Sequence, residues 1–193
     1  MNRGASRKQI PISNMLRHIC SLAFLSTSLA FAAIESGPAV DSALPELKAD
    51  AATGDDAGKK ITFTTTRKAK PTIYVFIRAD KFDRPIARYL KTLDKALVEF
   101  GKDTHVVAVW ITEDIDKTRE YLPKVQQSMK LEASTLAFYA EEKIGPNAWG
   151  LNERAYVTTI VTDGTKVKAR FAEQSLNETN VPEVTTALKL LLK

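Results

Sequence analysis

The sequence predicts an α/β protein with a central mixed β-sheet flanked by helices, and three observations predict it. Ile73 to Arg78 and His105 to Ile111 are short runs with apolar residues on both faces, the pattern of strands inside a covered sheet. Between them, Ile86, Leu90, Leu93, Leu97 and Phe100 recur at helical spacing, so strand, helix and strand form a unit whose strands run parallel with a right-handed crossover. Farther on, Val157 to Thr162 and Lys166 to Phe171 flank Thr162-Asp163-Gly164-Thr165, a hairpin signal that adds an antiparallel pair.

Each element has its own local cause. Residues 1–32 read as a secretory signal: a positive stretch ending Leu16-Arg17-His18, an apolar run from Ile19 to Ala33, and the small-residue site Ala30-Phe31-Ala32, with cleavage expected after Ala32. Met15 opens a shorter signal of the same kind and is an alternative start. The run is about fifteen residues and is broken by Ser21, Ser26, Thr27 and Ser28, too short and polar for a comfortable membrane span. A retained N-terminal anchor is the competing reading. Residues 33–60, rich in Ala, Asp, Gly and Ser, read as a flexible linker or N-terminal extension that Ala43-Leu44-Pro45-Glu46-Leu47 could pin to the domain.

The domain itself is expected over 61–193. Ile61 and Phe63 alternate with threonines as in an edge strand, before the basic turn Arg67 to Pro71. The helix from about Arg84 to Phe100 has Asp83 as N-cap, Pro85 in its first turn and Gly101 as its stop. A second helix is expected from about Glu113 to Met129, burying Ile115, Leu122, Val125 and Met129, with Pro123 kinking or dividing it. Thr135 to Tyr139 form a further short strand and 141–153 a loop. The last helix starts near Asn180, with Glu183 completing a capping box, and buries Val184, Leu188 and Leu191.

Charge and cysteine usage exclude several functions. The formal charge of +5 comes mostly from Arg3, Arg7, Lys8 and Arg17, because the chain beyond residue 32 carries 24 basic against 23 acidic residues. No concentrated cationic face of the kind nucleic acid needs is expected. The only cysteine is Cys20, inside the apolar run, so the processed chain has no thiol, no disulfide and no cysteine metal site. Arg17-His18-Ile19 before it disfavours lipid attachment. His105 alone follows the leader, and at the start of a strand it reads as structural; no metal site and no cofactor are expected.

Three stretches carry a family resemblance. Lys70-Pro71-Thr72-Ile73-Tyr74-Val75-Phe76 looks like a lysine-proline entry into a central strand, Ala148-Trp149-Gly150-Leu151 like an aromatic-glycine-apolar segment, and Ala155 to Gly164 like a Gly-Val-Pro-Thr-Thr hairpin ending in Asp-Gly. With the element order, they resemble the thioredoxin-like superfamily, in particular its exported thiol oxidoreductases and peroxiredoxin-related branch. The resemblance implies a thioredoxin-like fold over about residues 58 to 193, with its site in the loop after the central strand.

In that family a cysteine thiolate sits at this loop, stabilised by the next helix N-terminus. Here the loop reads Arg78-Ala79-Asp80-Lys81-Phe82-Asp83-Arg84-Pro85, with Lys81 and Arg84 about where the thiols would stand. Neither side chain cycles between dithiol and disulfide. The family's cis-proline aligns with Val157, where a trans bond is expected.

The reading is therefore an exported protein, periplasmic or extracellular, without thiol redox activity. It has a protein or peptide partner, binds no nucleic acid and keeps no stable membrane anchor after signal cleavage. Candidate binding residues are Asp80, Lys81, Phe82, Arg84 and Val157, the last through backbone pairing. No catalytic residue is assigned. The alternatives are a non-thiol envelope enzyme using Asp80, Asp83, Lys81 and Arg84, and a structural envelope component; an ordinary solvated loop with a helix cap would explain the same charges. Burial of Phe82 would count against the binding role. Trp110 reads as core, Trp149 as core cover, and Asn177-Glu178-Thr179 formally fits a glycosylation acceptor.

Overall fold

A computed structural model describes residues 1, 33–67, 69–101 and 103–192, in which the unit Ala33–Lys193 forms one compact body. The expected signal, its cleavage point and Cys20 lie outside the described residues. In chain order the elements are β1 (Lys48–Ala51), β2 (Lys60–Thr62), α1 (Phe63–Thr66), β3 (Thr72–Arg78), α2 (Arg84–Phe100), β4 (His105–Ile111), α3 (Ile115–Met129), β5 (Ser134–Tyr139), β6 (Val157–Thr162), β7 (Val167–Glu173) and α4 (Val181–Lys189).

One seven-stranded mixed sheet runs in the order β2-β1-β5-β4-β3-β6-β7. Strands β3, β4 and β5 are parallel, and β6, β7, β1 and β2 join antiparallel. The chain steps from β3 to β4 to β5 in one direction across the sheet, so two right-handed crossovers put α2 and α3 on the same face. Their residues Leu90, Leu93, Leu97, Leu122 and Val125 share one core with Val184 and Leu188 of α4 and with Ile73, Val75, Val106 and Trp110 of the sheet.

That topology leaves the other face without a long helix, which corrects the linker reading of 33–60. This segment closes the second core, where Leu47, Ala49 and Ala51 pack with Phe63, Tyr74, Phe76, Trp149 and Ile160. Leu47 is fully buried, β1 lies between β2 and β5, and the Trp149 indole donates to the Glu46 carbonyl at 3.0 Å. Composition misled because these contacts use small residues: Gly37, at φ +91°, lies so close to Ile160 that a Cβ there would meet its Cδ1 at 2.9 Å. The pin expected at Ala43 to Leu47 is present, with Leu44 packed on the same core.

Several local expectations hold and others shift. Helix α2 has Asp83 as N-cap, accepting from the Ile86 N–H at 2.9 Å, and Gly101 as C-cap. Helix α3 begins at Ile115, capped by Asp114, and runs through Pro123 as one element. Pro123 is on the exposed side of the helix. Ile115 is not in the buried stripe of α3 but 41% exposed. The capping box near the last helix joins Asn177 and Asn180 rather than Asn180 and Glu183. The Asn180 side-chain oxygen instead accepts the Asn177 N–H at 3.0 Å, which turns it away from the first turn of α4. Residue 63, read as strand, starts the four-residue α1 instead.

Candidate functional site

The site is built where β3 and β4 end side by side, Arg78 opposite Ile111. Carboxyl ends of parallel strands are where α/β sheets open clefts, because the chain leaves them toward helices. After β3 the backbone makes a 3₁₀ turn over Ala79–Lys81. Arg78 fixes that turn: its guanidinium donates to both Asp80 carboxylate oxygens at 3.2 and 3.3 Å and to the Glu153 carbonyl at 2.8 Å. Lys81 pairs with Asp80 Oδ2, which Arg78 also contacts, at 3.4 Å and lies 5.3 Å from the Tyr156 ring centroid. Burial alone would push the Asp80 carboxyl up, but the Arg78 and Lys81 cations outweigh it and hold it below its ordinary range.

Phe82 turns inward from this loop and is half-buried. Its ring meets Trp110 edge-on at 5.1 Å between centroids and approaches Tyr121 of α3 at 6.4 Å. Opposite, Thr112 shapes the exit from β4: its Oγ lies 2.9 Å from the Thr118 Oγ and accepts the Asp114 N–H at 3.0 Å. Asp114 in turn accepts the Lys117 N–H at 3.1 Å. The two loops enclose a cleft of about 600 Å³, with Phe82, Trp110 and Tyr121 as aromatic walls and Asp80, Lys117 and Lys143 among its polar rim. That volume is in the range of ligand sites. A smaller hollow, about 40 Å³, adjoins it through the shared Arg78, Ile111 and Lys143 and reaches Ile144, Leu151 and Tyr156.

The five candidate residues separate accordingly. Asp80 and Phe82 line the cleft, Lys81 stands beside it over Tyr156, and Arg84 is exposed on the first turn of α2 without lining it. Val157 is 1% exposed and aligned with Ile77 on one side and Glu173 on the other, so the expected backbone pairing has no open edge there. The residue before it, Tyr156, donates to the Glu173 carbonyl at 2.8 Å and accepts the Arg78 N–H at 3.0 Å. No cis peptide occurs among the described residues, and the Val157 bond is trans. Asp80 and Asp83 do not form an acid-base pair: one is held by two cations, and the other caps α2.

Sequence reasoning missed Tyr121, Lys117 and Lys143. Tyr121 is 46% exposed on a helix whose buried stripe is Thr118, Leu122 and Val125, and an aromatic one position off such a stripe was the available signal. Trp110 is core, as expected, at 1% exposure, and is also a wall of the cleft. His105 lies at the opposite end of β4, its Nε2 2.9 Å from the Thr135 Oγ. Burial, aided by Arg67, lowers its pKa to about 4, as suits a neutral structural imidazole. The Asn177 side-chain oxygen is engaged by the Thr179 N–H and hydroxyl at 2.9 and 2.8 Å. Among the described residues no group of three or more potential metal ligands is present, and no helix is long and apolar enough to cross a membrane.

No protein-family model matches the chain, and no curated protein matches it. Solved structures do. A putative thiol:disulfide interchange protein DsbE from Chlorobium tepidum matches 80% of this chain and 99% of its own, at TM-score 0.62 and 13% identity. A peroxiredoxin-like protein from Aquifex aeolicus matches 82% of this chain and 91% of its own, at TM-score 0.57 and 13% identity. An exposed lipoprotein thioredoxin from Streptococcus pneumoniae matches 76% of this chain and 99% of its own, at TM-score 0.55 and 13% identity. The chain has the thioredoxin-like fold, and at these identities the likeness is one of fold.

Proposed function

We propose that the protein is an exported thioredoxin-like domain that carries out no thiol redox chemistry and binds a polypeptide partner in the cleft between the β3–α2 loop and α3. The observation that carries the reading is the inward turn of Phe82 onto Trp110. It makes the loop after the central strand the wall of an aromatic cleft, where Lys81 and Arg84 occupy the stretch in which thiol enzymes of this fold hold cysteines. Half-burial of Phe82 removes it as a protruding contact, which counts against the loop itself as the docking surface and favours the hollow that its ring borders. Export is supported by the charge-then-apolar leader and by the likeness in fold to a pneumococcal thioredoxin described as an exposed lipoprotein.

The test is a crosslinking capture from the native envelope fraction with the full chain and with Tyr121→Ala, a change at an exposed residue that leaves the cores intact. A partner captured by the native chain and lost with Tyr121→Ala is expected. Equal capture by both would place the interface elsewhere. Disulfide reduction or peroxide consumption by the purified protein above a buffer blank would overturn the non-redox part.

A further inference from the structure

We infer that Ser36 is a positioning residue for the cleft, acting on its rim through the 150–156 loop and Arg78. The inference rests on the reading of the cleft as the binding site and adds a residue to it. Ser36 is 2% exposed, and its Oγ accepts the Asn152 N–H at 3.0 Å and lies 2.7 Å from the Thr158 Oγ of β6. A hydroxyl can serve both neighbours at once, which the methyl of an alanine cannot. The residues on either side of Ser36 hold the same loop: the Asn152 side-chain amide donates to the Glu35 carbonyl at 3.0 Å, and the Gly37 N–H donates to the Gly150 carbonyl at 3.1 Å. Arg170 of β7 fastens this short segment in turn, donating to the Gly37 carbonyl at 2.9 Å and pairing with the Glu35 carboxylate.

The loop held in this way is the one that holds Arg78. Asn152, Glu153 and Arg154 belong to no helix or strand, and Glu153 and Arg154 are exposed, so hydrogen bonds rather than packing set their course. Asn152 gives the stretch its turn: its Oδ1 accepts the Arg154 N–H and its carbonyl the Ala155 N–H, both at 3.0 Å. One residue on, the Glu153 carbonyl receives the Arg78 guanidinium at 2.8 Å. The other acceptors of that guanidinium among the described residues are the Asp80 carboxylate oxygens, which belong to the turn itself. The Glu153 carbonyl is therefore the guanidinium's fixed point, and a charge-assisted bond to it sets where the turn carries Asp80 and Phe82 at the cleft. Without the Ser36 hydroxyl the Asn152 N–H loses its acceptor and that fixed point loosens. The route from Ser36 through Asn152, Glu153 and Arg78 to Asp80 is contiguous, with a hydrogen bond or a peptide link at every step.

The experiment compares ¹H–¹⁵N spectra of the full chain and its Ser36→Ala variant, following the Arg78 Nε–H, assigned with Arg78→Lys, and the Asp80, Lys81 and Phe82 amides. These signals are expected to shift in Ser36→Ala, and to shift in the same direction in Asn152→Ala. Glu35→Gln, which removes the Arg170 ion pair but keeps the Glu35 carbonyl, should leave them in place. Crosslinking capture, run beside the spectra with equal amounts of folded protein, should fall about fivefold or more in Ser36→Ala. A lower urea midpoint in Ser36→Ala with the Arg78 and Asp80 signals unmoved would make Ser36 structural only and overturn the inference. Unmoved signals in Asn152→Ala would break the route and overturn it as well. Shifted rim signals with undiminished capture would also overturn it, because the cleft would then bind without the rim that Ser36 sets. Absence of any partner with the native chain would count against the binding reading alone, and the rim signals would then decide the positioning by themselves.

Discussion

The main-chain N–H of Arg78 donates to the carbonyl of Tyr156 at 3.0 Å, which zips β3 to the segment entering β6 at the very point where the central strand ends. Backbone addition of a partner at that junction would have to break it, along with the Tyr156 to Glu173 hydrogen bond on the other side. Recognition is therefore left to side chains in the neighbouring cleft. Arg78 serves both ends of this arrangement, through its N–H on Tyr156 and its guanidinium on Asp80 and Glu153.

Phe82→Ala should cost about 1–3 kcal/mol of stability, because it removes a half-buried ring and the edge-on partner of Trp110. Urea unfolding followed by tryptophan fluorescence would measure it. An unchanged midpoint would mean that the ring is not packed as described.

Leu47→Ala should cost about 2–5 kcal/mol, the range for emptying a fully buried leucine site. The effect would be the opposite of neutral truncation of a linker, and the same denaturation experiment discriminates the two.

Asp94→Ala should also be severe. This carboxylate, 4% exposed, receives the N–H groups of Glu132 and Ala133 at 3.0 and 2.9 Å and the Ser134 hydroxyl at 2.5 Å. Removing it strands three donors at the entry to β5, and a loss of about 2–4 kcal/mol is expected. Hydrogen exchange should accelerate first at Glu132 and Ala133.

His105 gives the protein an acid-side stability slope. Its folded pKa of about 4 lies below the unfolded value near 6.5, so between those values the unfolded chain takes up a proton that the folded chain refuses. Stability should be level above that interval and fall by up to about 3 kcal/mol as pH drops through it. His105→Gln, which keeps a hydrogen-bonding group near Thr135, should flatten this part of the unfolding profile; an unchanged slope would assign it to other groups.

The strands and helices that pack through large apolar side chains were legible in the sequence. Residues 73–78, 84–100 and 105–111 announce themselves by period and by Asp83, Pro85 and Gly101, and the structure places them within one residue of expectation. The hairpin was legible for a similar local reason, since Asp163 binds the Thr165 and Lys166 N–H groups of its own turn. Leu47 was legible only as a local pin and β1 not at all, because a strand there depends on a sheet face that both crossovers leave bare, a property of topology rather than of local pattern. At the site, Asp80 and Phe82 were found from the loop position. Tyr121 and Lys143 were missed because they come from α3 and the β5–β6 connection, brought to Phe82 only by the fold.

Site-specific photocrosslinking tests the central claim most directly. A photoreactive amino acid would replace Tyr121 at the cleft in one full-length chain and Val98, 46% exposed on α2, in another, each expressed in the native host. The account predicts a discrete polypeptide adduct from position 121 and none from position 98. Adducts from position 98 alone, or from neither position while the protein remains folded, would contradict it.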